Sequence, residues 1–252
     1  MYSLDVNRPF TYDTISKAYA ELVDGDPSKQ FVQYPWALAQ LPPKVLGLRI
    51  LDIGCGEGSL ARALARRGAL VCGYDSSIEL INQARLEEER EPLGIEYIHA
   101  DPADIVQKVS FYGFDIAISV TVLHYAINRA HLEAFFSSTY RLVKPSGLFA
   151  ALVMNPGFMR FGQRIYNRRY RREPDGRLYV DFFDETGMRC SALYSDFTWA
   201  DYQESANRTG WKDLTWCPIK VTDEGRNRLG SFWNGFEEDC PYAGFRVMKP
   251  PG

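Results

Sequence analysis

The chain of 252 residues lacks the features that mark several common protein classes. Its five cysteines are odd in number and form no Cys-x-x-Cys pair, which argues against a disulfide framework and against a zinc site. No run of about 18 apolar residues occurs, and the N-terminus shows no basic region followed by an apolar stretch. We therefore expect a soluble, cytoplasmic protein that holds no metal and enters no membrane.

The chain also has little excess of charge of either sign, because its formal net charge is only −3. The whole-chain field therefore favours neither nucleic acid nor an anionic membrane. Any such partner would need a local patch, and one candidate is the arginine-rich segment 160–177.

The feature that the chain does contain is an apolar run, Ile50–Ile53, followed by glycines at alternate positions, Gly54, Gly56 and Gly58. The run predicts a strand that is buried on both faces, and the glycines allow a sharp turn and close approach to a ligand. Helical spacing follows over 59–67. A strand, a glycine turn and a helix N-terminus form a cradle typical of nucleotide ligands.

Strands and helices alternate through most of the chain, which predicts a parallel, doubly wound α/β sheet. The predicted strands end at Ile53 and cover 69–74, 95–99, 114–120 and 148–153, and the helices between them include one capped by Ser76 or Ser77 and one over 129–143. Beyond residue 156 we expect a hairpin (177–184 and 188–195), a helix (199–209) and two further strands (210–220 and 243–249). Two helices, over 13–23 and around 34–41, precede the sheet.

The glycine spacing decides which ligand the turn suits. A dinucleotide fingerprint places its third glycine five residues after the first, whereas Gly58 is four residues after Gly54. Asp75, 21 residues beyond Gly54, is placed to accept both hydroxyls of a ribose. Here the sequence resembles the class I S-adenosylmethionine-dependent methyltransferases, whose first motif is an acid followed by G-x-G-x-G. Asp101 after the third strand and the segment 144–147 continue the likeness, which covers 46–156 well and 199–250 loosely.

The resemblance implies a Rossmann-like sheet of seven strands with an antiparallel last strand, and S-adenosylmethionine as cofactor with S-adenosylhomocysteine as product. One domain over 1–252 is expected, in four parts: a helical N-terminal cap (1–46), a cofactor-binding core (47–156), a substrate-side hairpin insertion (157–198) and a segment that completes the sheet (199–252).

The chemistry of the cofactor fits these residue types. Glycine amides suit its carboxylate, Asp52 its ammonium, Asp75 its ribose and Asp101 its adenine amino group. The residues expected to bind the cofactor are Asp52, Gly54, Cys55, Gly56, Gly58, Asp75, Ser76, Asp101, Pro102, Ser119, Tyr12 and Tyr19. The two tyrosines would close over its methionine end, as N-terminal aromatics do in similar enzymes.

The class of methyl acceptor is predicted from the methylase motifs that the chain lacks and from its aromatic residues. After the fourth strand stands Ser119-Val-Thr-Val, not Asn-Pro-Pro-Tyr, and no Pro-Cys pair occurs, which weighs against a DNA methylase. Aromatic residues make up 14% of the chain and suit a small planar, heteroaromatic substrate methylated at N or O. Expected substrate contacts are Tyr34, Trp36, His124, Tyr125, Phe158 and Tyr179.

A catalytic base is needed only if the acceptor keeps its proton, and His124 and Tyr19 are the candidates, with Asp181 or Asp184 behind them. His99 and His131 are expected to be structural or surface residues. Two alternatives stay open: an RNA or protein methyltransferase that uses the arginine-rich segment, and a silent cofactor-binding subunit that activates a partner. At helical spacing, such arginines more often form a solvated face that stacks on tyrosines than a binding surface. The protein is expected to be a monomer or homodimer.

Overall fold

A computed structural model describes residues 25–174 and 177–252. The strands are β1 (Arg49–Ile53), β2 (Leu70–Asp75), β3 (Glu96–His99), β4 (Phe114–Val120), β5 (Val143–Met154), β6 (Arg164–Ile165), β7 (Arg168–Arg172), β8 (Leu178–Asp184), β9 (Gly187–Tyr194), β10 (Lys212–Cys217) and β11 (Tyr242–Met248). The helices are α1 (Tyr34–Ala39), α2 (Ser59–Ala65), α3 (Ile78–Arg90), α4 (Ile105–Lys108), α5 (Arg129–Leu142), α6 (Trp199–Arg208) and α7 (Asp223–Leu229). A π-helical turn, Lys29–Gln33, leads into α1. The predicted helix over 13–23 lies outside the described residues.

The main sheet has seven strands in the order β10-β11-β5-β4-β1-β2-β3. Strands β1 to β5 run parallel, whereas β11 is antiparallel to both β5 and β10. The predicted Rossmann-like fold with an antiparallel last strand is therefore confirmed. The strand order reverses between β1 and β4, and ligands bind beyond the carboxyl ends of the strands at such a point.

Strand β1 shows why this sequence forms a buried central strand. Every residue of β1 except Arg49 is buried. Ile50 packs into the core layer on one face of the sheet, whereas Leu51 and Ile53 pack into the layer on the other. An uninterrupted apolar run is what a strand covered by helices on both faces requires.

The helix starts also follow local sequence signals. Ser77, not Ser76, caps α3, because its hydroxyl accepts a hydrogen bond from the Leu80 N–H at 3.3 Å. Asn128 caps α5 through the His131 N–H at 2.8 Å, and Thr198 forms a capping box with Asp201 at α6. The predicted helix over 129–143 matches α5 to within one residue. The predicted strand over 148–153 starts too late, since β5 begins at Val143 and contains Pro145 and Gly147. The sequence pattern also misses α7.

The predicted hairpin, β8 and β9, belongs to a second sheet of four antiparallel strands in the order β6-β7-β8-β9. The helical spacing read for the arginine-rich segment is wrong, because β7 is a strand. Its alternation places Arg168 and Tyr170 in the interior, while Arg169 and Arg171 are partly exposed on the other face. In 25–174 and 177–252, no helix has the length and apolar character needed to cross a membrane.

Candidate functional site

A cavity of about 910 Å³, counted with the part open to solvent, lies at the carboxyl ends of β1, β2 and β4. Its position at the reversal of strand order and its size are those of a small-molecule site. The residues around it are Lys29, Tyr34, Asp52, Gly54, Cys55, Gly56, Glu57, Leu60, Tyr74, Asp75, Ser76, Leu80, Ala100, Asp101, Pro102, Val120, Thr121, Val122, Tyr125, His131 and Phe135.

The glycine turn forms the floor of this cavity. Gly54, Gly56 and Gly58 have φ values of 67°, 56° and 90°, which L side chains rarely adopt. A Cβ on Gly54 would lie 2.3 Å from a methyl carbon of Val122. A Cβ on Gly56 would meet no atom within 4 Å, so this part of the turn has open space beside it. The turn therefore allows a ligand to approach the backbone closely.

Asp75 holds the turn in register with the helix that follows β2. One carboxylate oxygen accepts the Gly56 N–H at 3.0 Å, and the other accepts the Ser77 N–H at 2.9 Å. The carboxylate consequently stands at the rim where β1 and β2 end, as the spacing from Gly54 predicts. Its remaining lone pairs suit hydroxyl donors.

Asp52 presents a buried carboxylate to the same cavity, with 2% of the residue exposed. Among the described residues its Oδ2 atom has no hydrogen-bond partner. Burial, together with the neighbouring carboxylates of Asp75 and Glu57, raises the pKa of Asp52 to about 7. A buried acid with an open acceptor and acidic neighbours favours a cationic ligand group.

Asp101, which follows β3, is another acidic residue in the wall of the cavity. Its Oδ1 accepts the Ala103 N–H at 3.0 Å, and its Oδ2 lies 3.3 Å from Nε2 of His131. His131 was expected to be a surface or capping residue, but it stands in the cavity wall and stacks on Phe135.

The residues predicted for the site also omit other residues of the cavity wall, among them Lys29, Glu57, Leu80 and Thr121. Of these four, Glu57 lies inside the glycine motif, and its proximity to the glycines is a signal that could have identified it.

Most of the residues predicted to bind the cofactor line the cavity, but two do not. Gly58 lies against Tyr97, whose hydroxyl would be 2.3 Å from a Cβ at that position. Ser119 is fully buried, and its hydroxyl donates to the Ile53 carbonyl at 3.2 Å. Both residues therefore support the turn and β1 from the side away from the cavity. Tyr12 and Tyr19 lie outside the described residues.

A second, smaller cavity of about 290 Å³, also counted with the part open to solvent, lies beneath the four-stranded sheet. Thr121 and Tyr125 line both cavities, so the two are neighbours. The other residues around it are Gln33, His124, Met154, Arg168, Tyr170, Val180, Phe182 and Tyr242. Within the described part of the chain, the Gln33 Oε1 atom is buried without a hydrogen-bond partner. The buried hydroxyls of Tyr170 and Tyr242 lie close enough to interact with each other.

His124 belongs to this second cavity. Its Nδ1 accepts the Met154 N–H at 3.2 Å, and its ring packs on Tyr125 and Tyr194. Burial lowers the pKa of His124 to about 3, so the imidazole is neutral near pH 7 and is a weak base.

The other predicted substrate contacts are dispersed. Tyr34 lines the first cavity and Tyr125 lines both. Trp36 packs flat on Gly244, where an added Cβ would lie 2.4 Å from the indole. Phe158 packs on Tyr170. Tyr179 lies under the guanidinium of Arg171.

The arginines of segment 160–177 are largely engaged within the protein. Arg168 is buried and forms an ion pair with Asp26, while Arg169 and Arg171 both pair with Asp181, a carboxylate with no exposed surface. Arg160 and Arg172 pair with Asp239 and Asp196. These contacts build the second sheet and attach it to the N-terminal segment and to the loop before β11.

A doubly wound sheet with acidic side chains around a G-x-G-x-G turn is typical of class I S-adenosylmethionine-dependent methyltransferases. Residues 50–147 match the family model described as a methyltransferase domain.

Relatives by sequence are ubiquinone biosynthesis O-methyltransferases. That of Brucella anthropi is 34% identical over 124 residues, 49% of this chain and 48% of its own, and that of Bartonella bacilliformis is 31% identical over 142 residues, 56% and 53%. The chain thus spans about half the length of the curated relatives it matches.

Similar solved structures show the same fold over most of the chain. An S-adenosylmethionine-dependent methyltransferase from Mesorhizobium loti has a TM-score of 0.60 at 21% identity, covering 90% of this chain and 100% of its own. Phosphoethanolamine N-methyltransferase 2 of Haemonchus contortus, in complex with S-adenosyl-L-methionine, has a TM-score of 0.60 at 19% identity, covering 97% and 58%.

Proposed function

We propose that this protein transfers the methyl group of S-adenosylmethionine to an oxygen or nitrogen atom of a small, planar, aromatic molecule. The observation that carries the proposal is the buried, unpartnered carboxylate of Asp52 beside the glycine turn and Asp75. Asp52 and Asp75 match the ammonium and the ribose of this cofactor in type. The N–H groups of Gly54, Gly56 and Gly58 already donate within the protein, so the turn would give the carboxylate end room and not the amide donors expected from the sequence.

The cavity accommodates the rest of the cofactor through residues already described. Asp101 would accept from the adenine amino group, and Leu80, Pro102 and Phe135 give the apolar walls that a planar base requires. When bound, the sulfonium would supply an electrophilic methyl carbon, at which an acceptor attacking in line displaces S-adenosylhomocysteine as a neutral thioether. The chain's task is then to orient two reactants and to exclude water, which can supply much of the rate acceleration without a specialised base.

The acceptor side is proposed at the boundary of the two cavities, where Thr121 and Tyr125 belong to both. Aromatic and apolar side chains of the second cavity suit a planar molecule, and the unpartnered amide oxygen of Gln33 would fix the orientation of that molecule. An oxygen acceptor is supported by the O-methyltransferase names of the relatives. His124 would contribute packing and position here, and the low pKa leaves deprotonation to solvent or to the acceptor's own acidity.

The proposal predicts a pH dependence of cofactor binding that originates at Asp52. Because the pKa of its buried carboxyl is raised to about 7, this group is mostly neutral at pH 5.5 and half ionised at pH 7. We expect S-adenosylmethionine to bind about tenfold more tightly at pH 7 than at pH 5.5, with release of a proton at the lower pH. Calorimetric titration in buffers of different ionisation enthalpy measures both the affinity and the number of protons released.

The same carboxyl has the opposite effect on the stability of the unliganded protein: a rise in pH that strengthens cofactor binding lowers this stability. A raised pKa in the folded state means that its contribution to stability is present below about pH 4 and is lost as the pH rises through about 7. Asp52→Asn should remove this pH dependence of the unliganded protein and flatten that of binding. Equal pH profiles for the variant and the wild type would contradict the assignment.

Transfer of a radiolabelled methyl group tests the activity. Purified protein, labelled S-adenosylmethionine and a panel of phenols, hydroquinones and nitrogen heterocycles should give a labelled product soluble in organic solvent for at least one acceptor class. RNA and protein acceptors belong in the same panel. Label found only in RNA or protein would refute the small-molecule proposal, and binding without transfer to any acceptor would favour the silent-subunit alternative.

The RNA alternative depends on the arginine-rich segment, in which Arg168, Arg169 and Arg171 pair with the largely or fully buried carboxylates of Asp26 and Asp181, whereas the Arg172–Asp196 pair is exposed. A surface that binds phosphates needs cations that can exchange counterions, and arginines held by buried carboxylates are poorly suited to this. The small-molecule acceptor is therefore the better supported reading.

A further inference from the structure

We infer that His131 recognises the adenine ring of the cofactor together with Asp101, as a hydrogen-bond donor beside an acceptor; this inference rests on the proposed function. The two side chains come from different parts of the fold, since Asp101 follows β3 and His131 lies in the first turn of α5. Both line the cavity, and Nε2 of His131 lies 3.3 Å from Oδ2 of Asp101.

A backbone contact fixes the tautomer of His131. The N–H of Ile127 donates to Nδ1 at 3.3 Å, so Nδ1 is the acceptor and the neutral ring carries its hydrogen on Nε2. The ring also stacks on Phe135, with centroids 5.4 Å apart and planes 26° apart. Both contacts hold the Nε2–H in one direction.

That N–H has no hydrogen-bond partner within 25–174 and 177–252, although the nitrogen is buried. Asp101 is near enough, but the N–H is not aligned with its carboxylate. Buried polar atoms are nearly always satisfied, so a donor left unpaired in a cavity wall indicates a ligand acceptor.

Adenine presents the complementary pair. Its exocyclic amino group is a donor, and a ring nitrogen beside it is an acceptor, which is the pattern that the amide of asparagine or glutamine reads in DNA. Here the Asp101 carboxylate replaces the amide oxygen and the His131 N–H replaces the amide nitrogen. The arrangement assigns to His131 a part in selecting adenine that the motif residues alone do not perform.

The test compares S-adenosylhomocysteine with its 1-deaza and 7-deaza analogues, each of which replaces one ring nitrogen by C–H. Calorimetric titration of the full-length wild type should show about a tenfold weaker affinity for one analogue. His131→Phe keeps an aromatic ring over Phe135 but removes the donor, so it should bind that analogue and the parent ligand equally. His131→Gln restores an N–H and should recover at least part of the discrimination.

His99→Phe is the control for the same substitution made next to the cavity. The His99 ring does not line the cavity and contacts the backbone carbonyl of Ser76 at 3.1 Å, so it offers the ligand no donor. This variant should discriminate as the wild type does, and thermal melting should show that all three variants are folded.

Equal binding of all three ligands by the wild type would overturn the inference, as would discrimination that persists in His131→Phe. No binding of S-adenosylhomocysteine by the wild type would refute the proposed function itself, and the inference with it.

Discussion

Asp75→Ala is expected to weaken the binding of S-adenosylhomocysteine on the order of 100-fold. The carboxylate does two things at once: it would accept both ribose hydroxyls, and it already accepts the Gly56 and Ser77 N–H groups at 3.0 and 2.9 Å. Its loss therefore removes charge-assisted ligand contacts and releases the glycine turn from α3. Calorimetric titration of the folded variant measures the effect.

Asp115→Ala is a suitable control for this change. Asp115 lies near the start of β4, on the side of the sheet away from the cavity, where it accepts the Arg49 N–H at 2.8 Å and pairs with Lys144. Its loss should lower the melting temperature without changing the affinity. If Asp75→Ala bound the ligand as tightly as the wild type does, the assignment of the ribose end would be wrong.

Arg168→Met is expected to destabilise the protein by about 3 kcal/mol. Arg168 is 5% exposed and pairs with Asp26, while its Nη1 also donates to the Ser28 hydroxyl at 3.0 Å and to the Tyr166 carbonyl at 3.1 Å. Methionine keeps much of the packing on Phe182 but leaves Asp26 as a largely buried charge without its partner. Urea unfolding followed by tryptophan fluorescence measures the change.

Arg172→Met gives the comparison, because Arg172 and its partner Asp196 are 45% and 49% exposed. Exposed pairs contribute little, so this variant should lose less than about 1 kcal/mol. If the two variants were equally stable and Arg168→Met instead lost RNA binding, segment 160–177 would be a nucleic-acid surface and not a structural one.

The part of the site that the sequence predicts is the part built from neighbouring segments of the chain. Asp52, the glycines and Asp75 lie on one strand-turn-helix unit and the strand after it, so their spacing along the chain survives folding as spacing in the site. The doubly wound sheet is likewise predicted by local signals, namely apolar strand segments that alternate with capped helices along the chain.

What the sequence could not predict depends on contacts between distant segments. Arg168 meets Asp26 across 142 positions, and that contact turns a basic cluster into a buried ion pair on a strand. His131 faces Asp101 because α5 packs against α4, the short helix that follows Asp101, and neither residue type nor spacing signals the pairing. The second cavity likewise exists only because the four-stranded sheet covers the ends of β4 and β5.

The central claim is that the cavity beyond β1 and β2 binds S-adenosylmethionine, and calorimetric titration of the purified chain tests it most directly. The geometry predicts saturable binding of one molecule per chain, competed by S-adenosylhomocysteine and weakened by Asp75→Ala. Heat no greater than dilution for both ligands at pH 7, where half of Asp52 is ionised, would contradict it.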